Sequence, residues 1–158
     1  MKGVVRRPSM AEPARVIVDE FLMRYREHDV DGMAELCSIG ADLDYIPVEI
    51  SGKQGALRAQ GKVRGIGKVI WTGLIASFPD LSLTVHTITA NDDGDVVAEV
   101  SLEGTQDRAW GFATSAGQHY LEPHLFIFHV GDDQLIENIA AYWNDARINQ
   151  QLGHGEVD

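Results

Sequence analysis

The sequence predicts an α+β fold in which a curved antiparallel sheet wraps N-terminal helices and leaves a cavity at its mouth. Three observations carry this. Apolar residues recur at helical spacing from Ala14 to Phe78, broken by one short extended stretch. After Pro79 the period changes to strict alternation. Clusters of Asn, Asp and Gly then cut the alternating part into consecutive strands, and helices gathered at one end of a strand meander define the class.

The first helix is read from Ala14, Ile17, Phe21, Leu22 and Tyr25, which share one face; Pro13 suits its first turn, where a missing N–H costs nothing. Asp29-Val30-Asp31-Gly32 breaks it, and a short second helix over about 31–38 turns Met33 and Leu36 inward before Gly40 ends it. Residues 42–48 read as a strand entering the core, and 51–65, rich in Gly, Lys and Gln, as a long loop of the kind that borders sites. Ile66, Ile70, Leu74 and Phe78 mark a third helix closed by Pro79.

Leu81, Leu83 and Val85 then alternate with polar residues, Asn91-Asp92-Asp93-Gly94 makes a hairpin turn, and Val96, Ala98, Val100 and Leu102 return. Residues 104–117 form a connection carrying Trp110 and Phe112. A strand over about 118–130, a turn at 131–134, a last strand over 135–143 and a short helix with Ile148 and Leu152 complete the order. One domain over 11–153 is expected, with loose tails at 1–10 and 154–158.

Composition narrows the function. With 24 acidic against 13 basic residues and a formal charge of −11, the chain repels phosphate backbones and anionic membranes. Neither nucleic acid nor membrane is an expected partner. No apolar run approaches the roughly 20 residues that span a bilayer. Arg6-Arg7 is followed by Pro8-Ser9-Met10-Ala11-Glu12-Pro13 instead of an apolar export segment, so a cytoplasmic location is expected. Cys37 is the one cysteine and reads as a small core residue. His86, His119, His124 and His129 lack tight ligand spacing and there is one cysteine, so no metal site is expected.

Several stretches resemble one family. Phe78-Pro79-Asp80-Leu81 closes the third helix as in SnoaL-like proteins, and Leu102-Glu103-Gly104-Thr105-Gln106 is similar to their Gly-Thr-His segment. Leu135-Ile136-Glu137, Tyr142-Trp143-Asn144-Asp145 and Gln150-Gln151-Leu152-Gly153 follow in the family's order. The resemblance implies the cone of the nuclear transport factor two-like fold, a homodimer packed through the sheet, and a pocket for an apolar, polyketide-like small molecule. SnoaL-like cyclases close a ring by an aldol step without metal or coenzyme; the same fold also serves isomerases, dehydratases, epoxide hydrolases and binding proteins.

Aldol chemistry needs a base beside the acidic C–H and a donor for the developing oxyanion. The resemblance places the family's carboxylate at Ala141, or at Ala140 in a shifted register, and neither transfers a proton. Gln106 stands where relatives carry His and serves either to orient a ligand or as a satisfied polar residue. Glu122 and His124 share a strand face with Phe126 and Phe128, and a carboxylate beside an imidazole among phenyl rings tunes acid/base work. The competing reading of His124 is a buried, merely hydrogen-bonded histidine.

His124 is therefore the candidate acid or base, with Glu122 orienting it or sharing its proton. Tyr45 and Gln106 are candidates for binding substrate oxygens, and Trp71, Phe78, Phe126 and Trp143 for shaping the pocket. Glu137 and Asp145, placed on the face of Ala141, are candidate substitute carboxylates; Asp145 and Asn144 are also candidate helix caps. The expected function is cofactor-independent acid/base catalysis of cyclase, isomerase or dehydratase type. A ligand-binding protein without catalysis and a structural subunit that pairs through its sheet are the alternatives.

Overall fold

The computed structural model describes residues 8–48, 58–110, 115 and 117–153. The expected tail at 154–158, most of the expected tail at 1–10, part of the 51–65 loop and Phe112 lie outside them. Helices α1 (Ala11–Arg26) and α2 (Val30–Glu35) lead into strands β1 (Cys37–Val48) and β2 (Ala59–Lys62). A π-helical turn (Val63–Gly67) runs into α3 (Lys68–Ser77). Strands β3 (Ser82–Ala90), β4 (Asp95–Thr105), β5 (His119–Val130) and β6 (Ile136–Asn144) follow, and α4 (Asp145–Gln151) closes the order.

All six strands form one sheet in the order β2-β1-β6-β5-β4-β3. The four expected antiparallel strands are β3 to β6, and β1 joins them by pairing parallel with β6. The register sets Tyr45 opposite Ala141, and Ala141 opposite Phe126, in one cross-strand row. The helices fill the concave side: Phe21 of α1 meets Trp71 of α3 and Phe128 of β5 at ring separations of 5.6 and 5.3 Å, both edge-on.

Local chemistry accounts for the boundaries. Asp29 caps α2 by accepting from the Gly32 N–H at 2.9 Å. The β3–β4 hairpin turns where Asn91 Oδ1 accepts from the Asp93 and Asp95 N–H groups and Gly94 takes a φ of 91°.

Three expectations need correction. Met10 does not belong to a loose tail: it packs into the core, and its N–H donates to Asp92 O at 2.9 Å. The second helix ends at Glu35, because β1 begins at Cys37 and runs through Gly40. In the expected loop, Ala59–Lys62 is a strand paired with β1, and Gly61 there lets the Ile66 side chain approach to 2.8 Å from where a Cβ would stand. No described helix is long and apolar enough to cross a membrane.

Candidate active site

A pocket of about 50 Å³ lies between the sheet and α3, closed at one end by α4. Its polar contributors are Tyr45, Tyr120, His124 and Trp143, and the rest of the wall includes Phe78, Trp110 and Ile148. Among the described residues the lining holds no carboxylate and no Lys or Arg.

His124 sits on β5, 8 % exposed, stacked on Phe126 at 6.3 Å. Its Nδ1 lies 3.0 Å from the backbone oxygen of Glu122. A carbonyl oxygen only accepts, so Nδ1 carries the hydrogen and Nε2 keeps a lone pair. Burial pushes the imidazole pKa down to about 4, opposed in part by that carbonyl bond, so the ring is neutral at pH 7. The neutral ring keeps a lone pair that can take a proton, and the same burial makes it a weak base.

Tyr45 reaches the pocket from β1. Its hydroxyl oxygen accepts the Trp71 indole N–H at 2.8 Å, which leaves its own proton to be donated elsewhere. Burial pushes its pKa to about 12, so the hydroxyl stays protonated. The Tyr25 hydroxyl is buried against the Tyr45 hydroxyl, and burial first, then the interaction with Tyr45, holds its pKa well above the usual phenol range. The Trp143 indole N–H is buried and unpartnered among the described residues.

The other candidates fall in different places. Phe78 lines the pocket and meets Tyr120 edge-on at 5.0 Å. Trp71 and Phe126 are buried just behind the lining: Trp71 holds Tyr45, and Phe126 backs His124. Gln106 is turned into the connection after β4, where its Nε2 donates to Arg108 O at 3.1 Å. It is not part of the pocket wall. Asp145 is buried in the first turn of α4, also away from the wall, and Asn144 is the residue that caps α4, accepting from the Arg147 N–H at 2.9 Å.

Glu122 shares the buried face as expected, yet its carboxylate does not meet the imidazole. It pairs with Arg147 Nε at 2.9 Å and accepts from Gln151 Nε2 at 3.0 Å, both on α4. Only its backbone oxygen touches His124. Arg147 and Gln151 went unnoticed in the sequence because nothing local marks a terminal helix as the partner of a mid-strand carboxylate.

The SnoaL-like domain profile matches residues 18–139, more than three quarters of the chain. The chain belongs to the SnoaL-like family. Solved structures agree on the fold. A candidate polyketide cyclase from Xanthomonas campestris pv. campestris is 23 % identical with a TM-score of 0.72, covering 89 % of this chain and 97 % of that one. A candidate SnoaL-like polyketide cyclase from Jannaschia sp. is 18 % identical with a TM-score of 0.71, covering 95 % and 97 %. An epoxide hydrolase of the LEH-like type from M. tuberculosis is 17 % identical with a TM-score of 0.62, covering 90 % of each chain. Among curated proteins none matches.

Within this SnoaL-like chain the interior register of β6 falls on Ala141, which is fully buried between Tyr45 and Phe126, while Ala140 is turned the other way. Glu137 does not share that face. The β5–β6 register slips between His129 and Val130, so Ile136 and Ile139 point inward and Glu137 is exposed near His129 at 3.9 Å. Cys37 is buried with its thiol pushed up to about 12 by desolvation, which removes it as a nucleophile. Of the other described histidines, His28 meets the Leu81 carbonyl, His86 meets Ser101, His119 meets Glu103 and Thr105, and His129 meets Asp95.

Proposed function

We propose that this SnoaL-like protein is a cofactor-independent acid/base enzyme for an apolar, oxygenated, polyketide-like small molecule, of cyclase, isomerase or dehydratase type. His124 Nε2 takes a proton from a carbon next to a carbonyl, and the Tyr45 hydroxyl donates to the oxygen on which charge develops. The observation that carries the reading is the Nδ1–H bond from His124 to Glu122 O, which aims the free lone pair of a neutral ring away from the backbone. The described residues of the lining are uncharged, which suits a neutral ligand. Two copies pair through the outer face of the sheet, where Ile46, Leu125, Ile127 and Tyr142 lie half-buried.

The test follows deuterium uptake from solvent into 2-tetralone, whose C1 protons lie beside both a carbonyl and an aromatic ring. The protein accelerates uptake, and His124→Gln slows it by about 100-fold or more while leaving the circular dichroism spectrum unchanged. Uptake that is equally fast in His124→Gln removes His124 from the chemistry.

Ala141 favours a second reading, a ligand-binding protein that has lost catalysis. That reading expects 2-tetralone to bind without uptake, and His124→Gln to alter affinity alone.

A further inference from the structure

The pocket of about 50 Å³ is far below the roughly 300–1,000 Å³ of sites for drug-sized ligands. A wall of this pocket must give way before a multi-ring ligand can lie inside it against His124; in this one respect the inference rests on the function proposed above. The sheet walls are tied by their ladders. The connection carrying Trp110 is tied to the end of α3: the Asp107 N–H donates to Ser77 O at 2.7 Å, and Ser77 Oγ donates to Ala109 O at 3.0 Å.

Helix α4 is held differently. The β6 ladder meets β5 only from Leu125 onward, and α4 covers the edge of β5 before it. There the Leu121 N–H donates to the Gln151 side-chain oxygen at 2.8 Å, and Glu122 grips Arg147 and Gln151. Between those two residues Ile148 reaches into the pocket. Arg147 and Gln151 thus tie α4 to the sheet through polar bonds.

The geometry points to α4 as the movable wall of the pocket, latched by Arg147 and Gln151 on Glu122, with Glu122 passing the state of the latch to His124. The Glu122 side chain is 3 % exposed. Lifting α4 leaves its charge buried and uncompensated, so the helix rests closed and opens rarely. The same residue's carbonyl accepts from the His124 Nδ1–H, so the latch and the ring meet at one residue. Arg147 and Gln151 are positioning residues for His124.

The test uses the full chain without ligand and two readouts: amide hydrogen exchange over residues 145–152, and the ¹⁵N NMR signature of the His124 tautomer. Arg147→Gln should raise exchange about tenfold or more and bring the Nε2–H tautomer to about a tenth or more of the population. Arg147→Lys, which keeps the charge, should stay within about threefold of the parent. Unchanged exchange in Arg147→Gln overturns the latch. Faster exchange with an unchanged tautomer overturns the transmission to His124. Should Arg147→Gln fail to fold, Gln151→Ala keeps the ion pair and carries the same test, with faster exchange expected and no change contradicting it. Because no ligand is used, failure of the latch is separate from failure of catalysis, which 2-tetralone uptake reads.

Discussion

Trp71 donates its indole N–H to the Tyr45 hydroxyl at 2.8 Å, and that one bond orients the only hydroxyl that β1 contributes to the pocket. An indole nitrogen cannot accept, so the Tyr45 proton is left for the neighbouring Tyr25 hydroxyl or for a ligand. Tyr45→Phe strands a buried N–H and should cost about 1–3 kcal/mol of stability. Trp71→Phe added to it should cost less than the sum of the single changes, as urea unfolding of the double-mutant cycle will show.

His124 makes stability depend on pH in a definite direction. A free imidazole titrates near 6.5, and the buried ring near 4, so the unfolded chain takes up the proton first as pH falls. The contribution is fully present above about 6.5 and is lost between there and about 4, a span of about 3 kcal/mol. In urea titrations at pH 7.5 and 4.5, His124→Gln should lose markedly less stability between the two than the parent. An equal loss means that the ring is not held neutral by burial.

Restoring a carboxylate at the family position should not come free. Ala141 is fully buried in the row Tyr45, Ala141, Phe126, with no cation among the described residues of the pocket wall beside it. Ala141→Asp should lower stability at pH 7 by about 2–4 kcal/mol. Part of the loss should be recovered at pH 4.5, where the new group takes up a proton.

Gly94 tests the hairpin. At φ 91°, a Cβ there would stand 2.4 Å from the Val130 carbonyl oxygen, which is itself fixed backbone. Gly94→Ala should cost about 1–3 kcal/mol and lower the thermal midpoint, since neither the strand nor the turn can retreat cheaply.

The fold was legible where periodicity is strong. The alternation of Val96, Ala98, Val100 and Leu102 survives as the buried face of β4, and the Asn91–Gly94 turn is where the chain turns. What periodicity missed follows from its limits. Residues 59–62 carry too few apolar side chains to signal a strand, and the slip at His129/Val130 turned Glu137 out of the face that strict alternation assigned to it. The site was legible in outline: the shared face of Glu122 and His124 is real, and Tyr45, Phe78 and Trp143 meet His124 at one pocket. Its wiring was not, because Glu122 reaches Arg147 and Gln151 across tertiary contacts, and Gln106 spends its amide on the Arg108 carbonyl.

The central claim, that a neutral His124 is the base, is tested most directly by the pH dependence of deuterium uptake into 2-tetralone. The account predicts a rate that rises through about pH 4, where the buried ring loses its proton, and stays level through pH 8, with His124→Gln abolishing the rise. A rate that titrates near 6.5, or one that keeps its profile in His124→Gln, would contradict it.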